Sequence, residues 1–380
     1  MNALPYACRK WIVASPLVEG TIRPENFALI EQPLRALAPG EALVRTGLIN
    51  LHSRTRLKLP SREHPEGPEI IVAGETDLAN YGCAEIVASR DVQLPVGATV
   101  HWQLGWQDYQ IISRDEGPIG YAPPTPAVRA LNGTSAPMNY VLRPDIARNW
   151  PAEELMHVFG TSGTTALLGL RRCEVKSGDR VLVAAASGSV GSLAAQIARA
   201  AGAYVVGLAG GEDRCDWVRA TLGIDGCLDY RAPDLAERLR FAFPDGIDLF
   251  CDGVGGSLTE AVVPQINRGG RLFAYGSSES FYSSAPAGPR DKSLRRAFGI
   301  TAALEALCDE RGIRIECWIV FDHYDQRLAL EDELASLLRY GAIRPVTDVT
   351  RGFANLPHAV TAMYARPHAG KAQVDFLAPI

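Results

Sequence analysis

The sequence contains no C-x-x-C pair and no close His/Cys couple. Its 8 cysteines, Cys8, Cys83, Cys173, Cys215, Cys227, Cys251, Cys308 and Cys317, are scattered. This spacing excludes the usual zinc-site signatures and reads as buried free thiols in a reduced cytoplasm. No run of about 18 apolar residues occurs, so no membrane span is expected. Pro16, Glu19 and Arg23 break the N-terminal stretch too early for an apolar leader segment. Long runs of one charge are also missing. With 38 Lys and Arg against 43 Asp and Glu, the formal charge is −5, and neither a nucleic-acid nor an anionic-lipid footprint is expected. What is present is a globular composition, 47% hydrophobic and 21% charged over 380 residues, enough for two or three compact units.

The first 110 or so residues read as β-rich. Short apolar or alternating runs at Trp11–Ala14, Ala42–Ile49, Cys83–Ala88 and Thr99–Trp102 are separated by Pro, Gly and Asp punctuation. Residues 115–150, with Gly117-Pro118, Pro123-Pro124, Pro126 and Pro137, read as a long irregular connection. Beyond it the pattern changes. Arg180–Ala185 is a continuous apolar run of the kind buried on both faces of a parallel sheet. In the next segment Val190, Leu193, Ala194, Ile197, Ala198 and Ala201 fall on one helical face, and Gly202 is placed to end it. Strand-like Tyr204–Ala209, helical Glu212–Leu222 closed by Gly223, and then Ile247–Cys251, Ser257–Ile266 and Arg271–Tyr275 continue the alternation. The fold class is therefore α/β, with a doubly wound parallel sheet. Strand-like Arg314–Val320, helical Arg327–Tyr340 and β-like Ala372–Leu377 complete the chain.

The turn between the first of these strands and its helix carries the chemistry. Ala186, Gly188 and Gly191 occupy the three glycine positions of a dinucleotide fingerprint, with Ala in the first. Gly188 lets a backbone approach a pyrophosphate, Gly191 lets the helix pack on the sheet, and the free N–H groups of Ser189 and Val190 face the phosphates. A bare strand-to-helix turn is the competing reading, but the strand before, the helix after and the strand beyond favour a cofactor. The second strand ends in Ala209-Gly210-Gly211 with Arg214 close behind, where an NAD site would carry an acid. Small residues beside a guanidinium suit the 2′-phosphate of NADPH. Arg214 as a solvated first-turn residue, with Glu212 or Asp213 reaching the ribose, is the alternative.

The runs His157-Val-Phe-Gly160-Thr-Ser-Gly163-Thr-Thr165, Lys176-Ser-Gly178-Asp179, Ala185-Ala-Ser-Gly188-Ser-Val-Gly191 and Phe250-Cys-Asp252-Gly-Val-Gly255-Gly256 resemble the zinc-independent medium-chain dehydrogenase/reductases. Together with Gly269-Gly270-Arg271, Leu228-Asp-Tyr230 and Gly370-Lys371, the likeness is greatest to the prostaglandin reductase and alkenal double-bond reductase branch. This resemblance implies a GroES-like β-rich catalytic domain from residues 1–147 and 322–380, and a Rossmann NADP-binding domain from 148–321, with the active site in the cleft between them. It implies hydride transfer from NADPH to the β-carbon of an α,β-unsaturated ketone or aldehyde, no metal, a small-molecule substrate and a homodimer. It also places Thr165, Gly188, Ser189, Val190, Gly191, Gly211, Arg214, Tyr230, Gly253, Gly276, Ser277, Trp318, Ile319, Val320 and His368 along the cofactor.

Departures from the branch make the pocket atypical. His52 replaces a tyrosine, His368 and Gly253 each replace an asparagine, and Ser277-Ser-Glu-Ser-Phe281-Tyr282 replaces an Ile-Ser-x-Tyr-Asn run. Tyr282 can donate a proton to an enolate or serve as a lid or dimer contact. His52 can act as general acid or base near neutrality, or as a hydrogen-bonded structural residue. The substitutions also admit a second function, a redox-neutral cyclase or isomerase on the same fold using His52 or Tyr282 for acid–base chemistry.

Overall fold

The computed structural model describes residues 5–18, 20–52, 55–60, 70–71, 73–76, 80–113, 139–278, 294–365 and 369–378. The chain forms two compact units. One holds Met1–Gly160, Phe321–Asp325 and Thr347–Ile380, and the other holds Thr161–Val320 and Gln326–Val346.

The first unit is built on a sheet in the order β14-β15-β3-β4-β5-β7, with β6 paired to β3. These strands are β3 (Glu41–Asn50), β4 (Asn80–Ser89), β5 (Thr99–Leu104), β6 (Tyr109–Ser113), β7 (Tyr140–Val141), β14 (Thr347–Arg351) and β15 (Lys371–Asp375). A separate hairpin pairs β1 (Ala7–Val13) with β2 (Phe27–Pro33). Strands β3 and β4, whose pairing is interrupted by bulges, bury Val44, Ile49, Ala84 and Ile86 in a core shared with Trp102, Trp106 and Val374. His101 lies inside this unit, stacked between Tyr81 at 5.2 Å and Tyr140 at 4.9 Å, a packing role for that imidazole.

The second unit is a parallel sheet in the order β10-β9-β8-β11-β12-β13. Its strands are β8 (Arg180–Val183), β9 (Tyr204–Ala209), β10 (Gly226–Asp229), β11 (Ile247–Asp252), β12 (Ile266–Ala274) and β13 (Arg314–Cys317). The apolar run on β8 is explained by complete burial: Val181, Leu182 and Val183 are all 0% exposed. Helices α1 (Thr161–Arg172), α2 (Ser189–Ala200), α3 (Glu212–Leu222), α4 (Leu235–Ala242), α5 (Gly256–Val262), α6 (Ala302–Arg311) and α7 (Arg327–Arg339) belong to this unit. The helix over 189–200 buries Leu193, Ala194, Ile197 and Ala198 and ends just before Gly202. Gly223 closes α3 in the left-handed conformation, φ 62°. Two of the quoted motifs prove to be one structural device. Arg271 on β12 pairs with Asp179 at 2.9 Å and donates to the Cys173 carbonyl at 2.8 Å, tying the start of β8 to β12.

The strand-like stretch expected over Arg314–Val320 is shorter, because β13 ends at Cys317. There Trp318 leaves the strand and stacks on Phe273, centroids 5.5 Å apart, with the Arg172 guanidinium 5.8 Å over the Trp318 ring. All cysteines among the described residues are free, and all but Cys317 are buried. Burial pushes the Cys83 and Cys173 thiols up to about 12. These thiols are chemically quiet.

Candidate active site

Strand order reverses between β8 and β11, and the carboxyl ends of the strands at such a reversal are the usual ligand position in these folds. The predicted phosphate turn lies at this point. Ala185 adopts φ 50°, a left-handed conformation unusual for a residue with a side chain, and its carbonyl turns back over the start of α2. Gly188 N–H donates to that carbonyl at 2.8 Å. A Cβ on Gly191 would stand 2.3 Å from the same oxygen, so only glycine fits there. Gly188, Ser189 and Val190 stay partly exposed at the rim, while Gly191 is buried. Ser189 Oγ lies 2.7 Å from Ser162 Oγ, which fixes the rim to α1. Alanine is tolerated in the first glycine position because its methyl fills the space above Gly207, where a Cβ would approach Ala186 Cβ to 2.7 Å.

At the end of β9, Gly211 N–H donates to Asp229 Oδ1 at 2.8 Å, and Arg214 sits in the first turn of α3. Glu212, one of the acids that could serve a ribose, is held by Arg238 at 3.4 Å and Arg219 at 3.7 Å. Arg231 was not singled out from the sequence. Its guanidinium lies 5.6 Å over the Tyr230 ring, and both side chains flank Gly210, where a Cβ would meet Tyr230 at 3.0 Å and Arg231 at 3.1 Å. The Arg231 guanidinium therefore stands at this corner, and Arg214 follows on the first turn of α3.

At the ends of β11 and β12, Asp252 Oδ1 accepts from Val254 N–H at 2.8 Å and Gly255 N–H at 3.1 Å, shaping the Gly253–Gly256 turn. The glycine at 253 makes room for Tyr275. A Cβ there would fall 2.4 Å from the Tyr275 ring, whose hydroxyl donates to the Ala184 carbonyl at 3.1 Å across the strand reversal. Burial holds this phenol well above its ordinary pKa, so it stays a neutral donor. Gly276 follows directly and Ser277 is buried beside it. Thr165 is half-buried on α1, Ile319 is half-buried and Val320 is buried past β13.

The family comparisons agree with this geometry. Residues 9–118 match the profile described as N-terminal domain of oxidoreductase, and residues 189–309 match that described as zinc-binding dehydrogenase. These matches and the relatives below support a zinc-independent medium-chain dehydrogenase/reductase. It is 29% identical over 367 residues to the NADPH-dependent curcumin reductase of Escherichia coli (strain K12), covering 96% of this chain and 95% of that one. Against the NADP(+)-dependent 2-alkenal reductase of Nicotiana tabacum it is 28% identical, covering 77% and 76%. Among solved structures it resembles CurA from Vibrio vulnificus in complex with NADPH, with TM-score 0.74, 28% identity and coverage of 98% and 100%.

Three candidates remain, His52, Tyr282 and His368. His52 is half-buried in the first unit, two residues beyond β3, and Thr55 N–H donates to its carbonyl at 3.0 Å. Tyr282 and His368 lie outside the described residues. Among the described residues, no group of three or more His, Cys, Asp or Glu is arranged to hold a metal ion, and no helix is long and apolar enough to cross a membrane. Tyr275 and Arg231 are the site residues that sequence reasoning missed. The signal for Tyr275 was the glycine at 253, and for Arg231 its place next to Tyr230.

Proposed function

We propose that the protein is an NADPH-dependent reductase of the C=C bond in α,β-unsaturated ketones or aldehydes. The observation that carries this reading is the strained, glycine-lined turn at the strand reversal together with the Arg231 guanidinium beside Gly210 at the end of β9, with Arg214 on the helix turn that follows. The residues present fit the cofactor. A Cβ at Gly191 would close the turn, and the Arg231 guanidinium lies beside Gly210 at the corner where a 2′-phosphate would lie. The curated relatives named above act with NADPH or NADP(+), which supports the same assignment.

Ser189, Val190 and Gly191 would hold the pyrophosphate through backbone N–H groups, with Gly188 leaving room for its approach, and Arg214, Tyr230 and Arg231 would flank the 2′-phosphate, with Gly211 leaving room beside them. Thr165, Gly253, Gly276, Ser277, Trp318, Ile319, Val320 and His368 position the nicotinamide half. When bound, NADPH supplies a hydride for the β-carbon. The protein's own task is then to orient the conjugated carbonyl and meet the negative charge that develops on its oxygen. His52 or Tyr282 donates to that oxygen, each being able to carry a proton at neutral pH.

Loss of NADPH absorbance across a panel of enones and enals tests the reading. The expected result is turnover with NADPH at least tenfold more efficient than with NADH, and a narrower ratio in Arg231→Ala, since a charge-assisted contact contributes roughly 1.5–3 kcal/mol. Tight NADPH binding without turnover of any panel member would count against it. Product formed without an equivalent of NADP+ would instead support the redox-neutral cyclase or isomerase.

A further inference from the structure

His52 lies past the end of a strand, where the backbone is not held by regular pairing. The antiparallel register of β15 on β3 sets Gln373 opposite Asn50, and Leu51 N–H continues it by donating to the Ala372 carbonyl at 2.9 Å. One step further, the same register places Lys371 opposite His52. Lys371 is only 8% exposed, and its Nζ donates to the Leu51 carbonyl at 3.1 Å. Among the described residues no carboxylate pairs with it. From helix α8 (Leu356–Ala365), the Tyr364 hydroxyl donates to the His52 carbonyl at 3.2 Å and accepts from Arg56 N–H at 2.9 Å. Two consecutive carbonyls are thus gripped by side chains from the C-terminal return of the chain.

We propose that Lys371 and Tyr364 are positioning residues that fix the Leu51–His52 backbone, so that the imidazole has one orientation and stands beside a buried ammonium that opposes its protonation. The proposal rests on the reading of His52 as the proton donor. Burial alone lowers the Lys371 amine to about 8, so the ammonium persists at neutral pH. The charges on neighbouring elements do not cancel it. Arg351 is paired with Asp375 at 3.2 Å and with Glu153 at 3.8 Å. Among the described residues, further titratable groups there are Asp348 on β14, His358 on α8, and Arg56 and Lys58 on the short helix Thr55–Lys58.

Histidine-labelled whole enzyme, titrated by NMR with the His52 signal assigned through its loss in His52→Asn, tests this directly. Lys371→Met is expected to raise the imidazole pKa by roughly one unit, and Lys371→Arg to restore it. Tyr364→Phe is expected to broaden or shift the His52 resonance and to lower kcat about fivefold, the effect of one hydrogen bond, with KM little changed. His52 resonances that titrate identically in the parent, Lys371→Met and Tyr364→Phe would overturn the proposal. If those resonances move while His52→Asn retains full turnover, the positioning stands and the assignment of His52 as proton donor fails.

Discussion

Gly191→Ala is expected to weaken NADPH binding by about 10- to 100-fold, measured by calorimetry. The added methyl would stand 2.3 Å from the Ala185 carbonyl, a contact that backbone atoms on both sides must relieve. Overpacking of this kind costs about 1–3 kcal/mol, and 1.4 kcal/mol is tenfold in affinity. The displaced element is the turn itself, because Ala185 already holds a strained φ of 50° and Gly188 N–H bonds to the same oxygen. Loss of binding should therefore exceed any loss of fold stability. A variant that binds NADPH as the parent does would remove this turn from the cofactor site.

Lys371→Met is expected to act on stability with a sign that depends on pH. The lysine binds its proton more weakly in the folded chain, with a value lowered from 10.5 to about 8, than in the unfolded one. Below about pH 8 both states carry the charge, and the folded state bears the whole burial penalty of about 3 kcal/mol. Between about pH 8 and 10.5 the folded state releases its proton first, so the parent gains stability as pH rises. Methionine removes the penalty but leaves the Leu51 carbonyl without its donor, a loss of about 1–3 kcal/mol at every pH. The difference in unfolding free energy, variant minus parent, should then fall by about 3 kcal/mol from pH 7 to pH 10.5 in urea titrations. A flat difference would show that Lys371 is not a buried cation. The same substitution perturbs His52 in the proposal above, so stability and function would part at this position.

The parallel sheet was legible because its evidence is local. Three consecutive fully buried residues on β8 and one apolar face on the 189–200 helix suffice to announce strand, turn and helix, and the glycines between them name the chemistry. The first unit was legible only as β-rich, since its sheet joins β3 to β15 across most of the chain. Lys371 shows why: its acceptor, Leu51, is 320 residues away, and no periodicity spans that distance. The replacement at Gly253 was noticed as a departure, but its partner was not. Only the packing of β11 against β12 reveals that Tyr275 fills the space and reaches the Ala184 carbonyl. Arg214 was found by its offset from the strand end, whereas Arg231 enters the corner beside Gly210 from the next strand's loop. Tyr282 and His368, both named from the sequence, lie outside the described residues.

The most direct measurement is isotopic. NADPH carrying deuterium at the transferable C4 position would be incubated with a substrate enone from the panel, and the product examined by NMR. Hydride delivery across this site predicts one deuterium at the β-carbon, one equivalent of NADP+ per product, and a solvent-derived proton at the α-carbon. Product without deuterium at the β-carbon, or formed with the cofactor still reduced, would contradict the account.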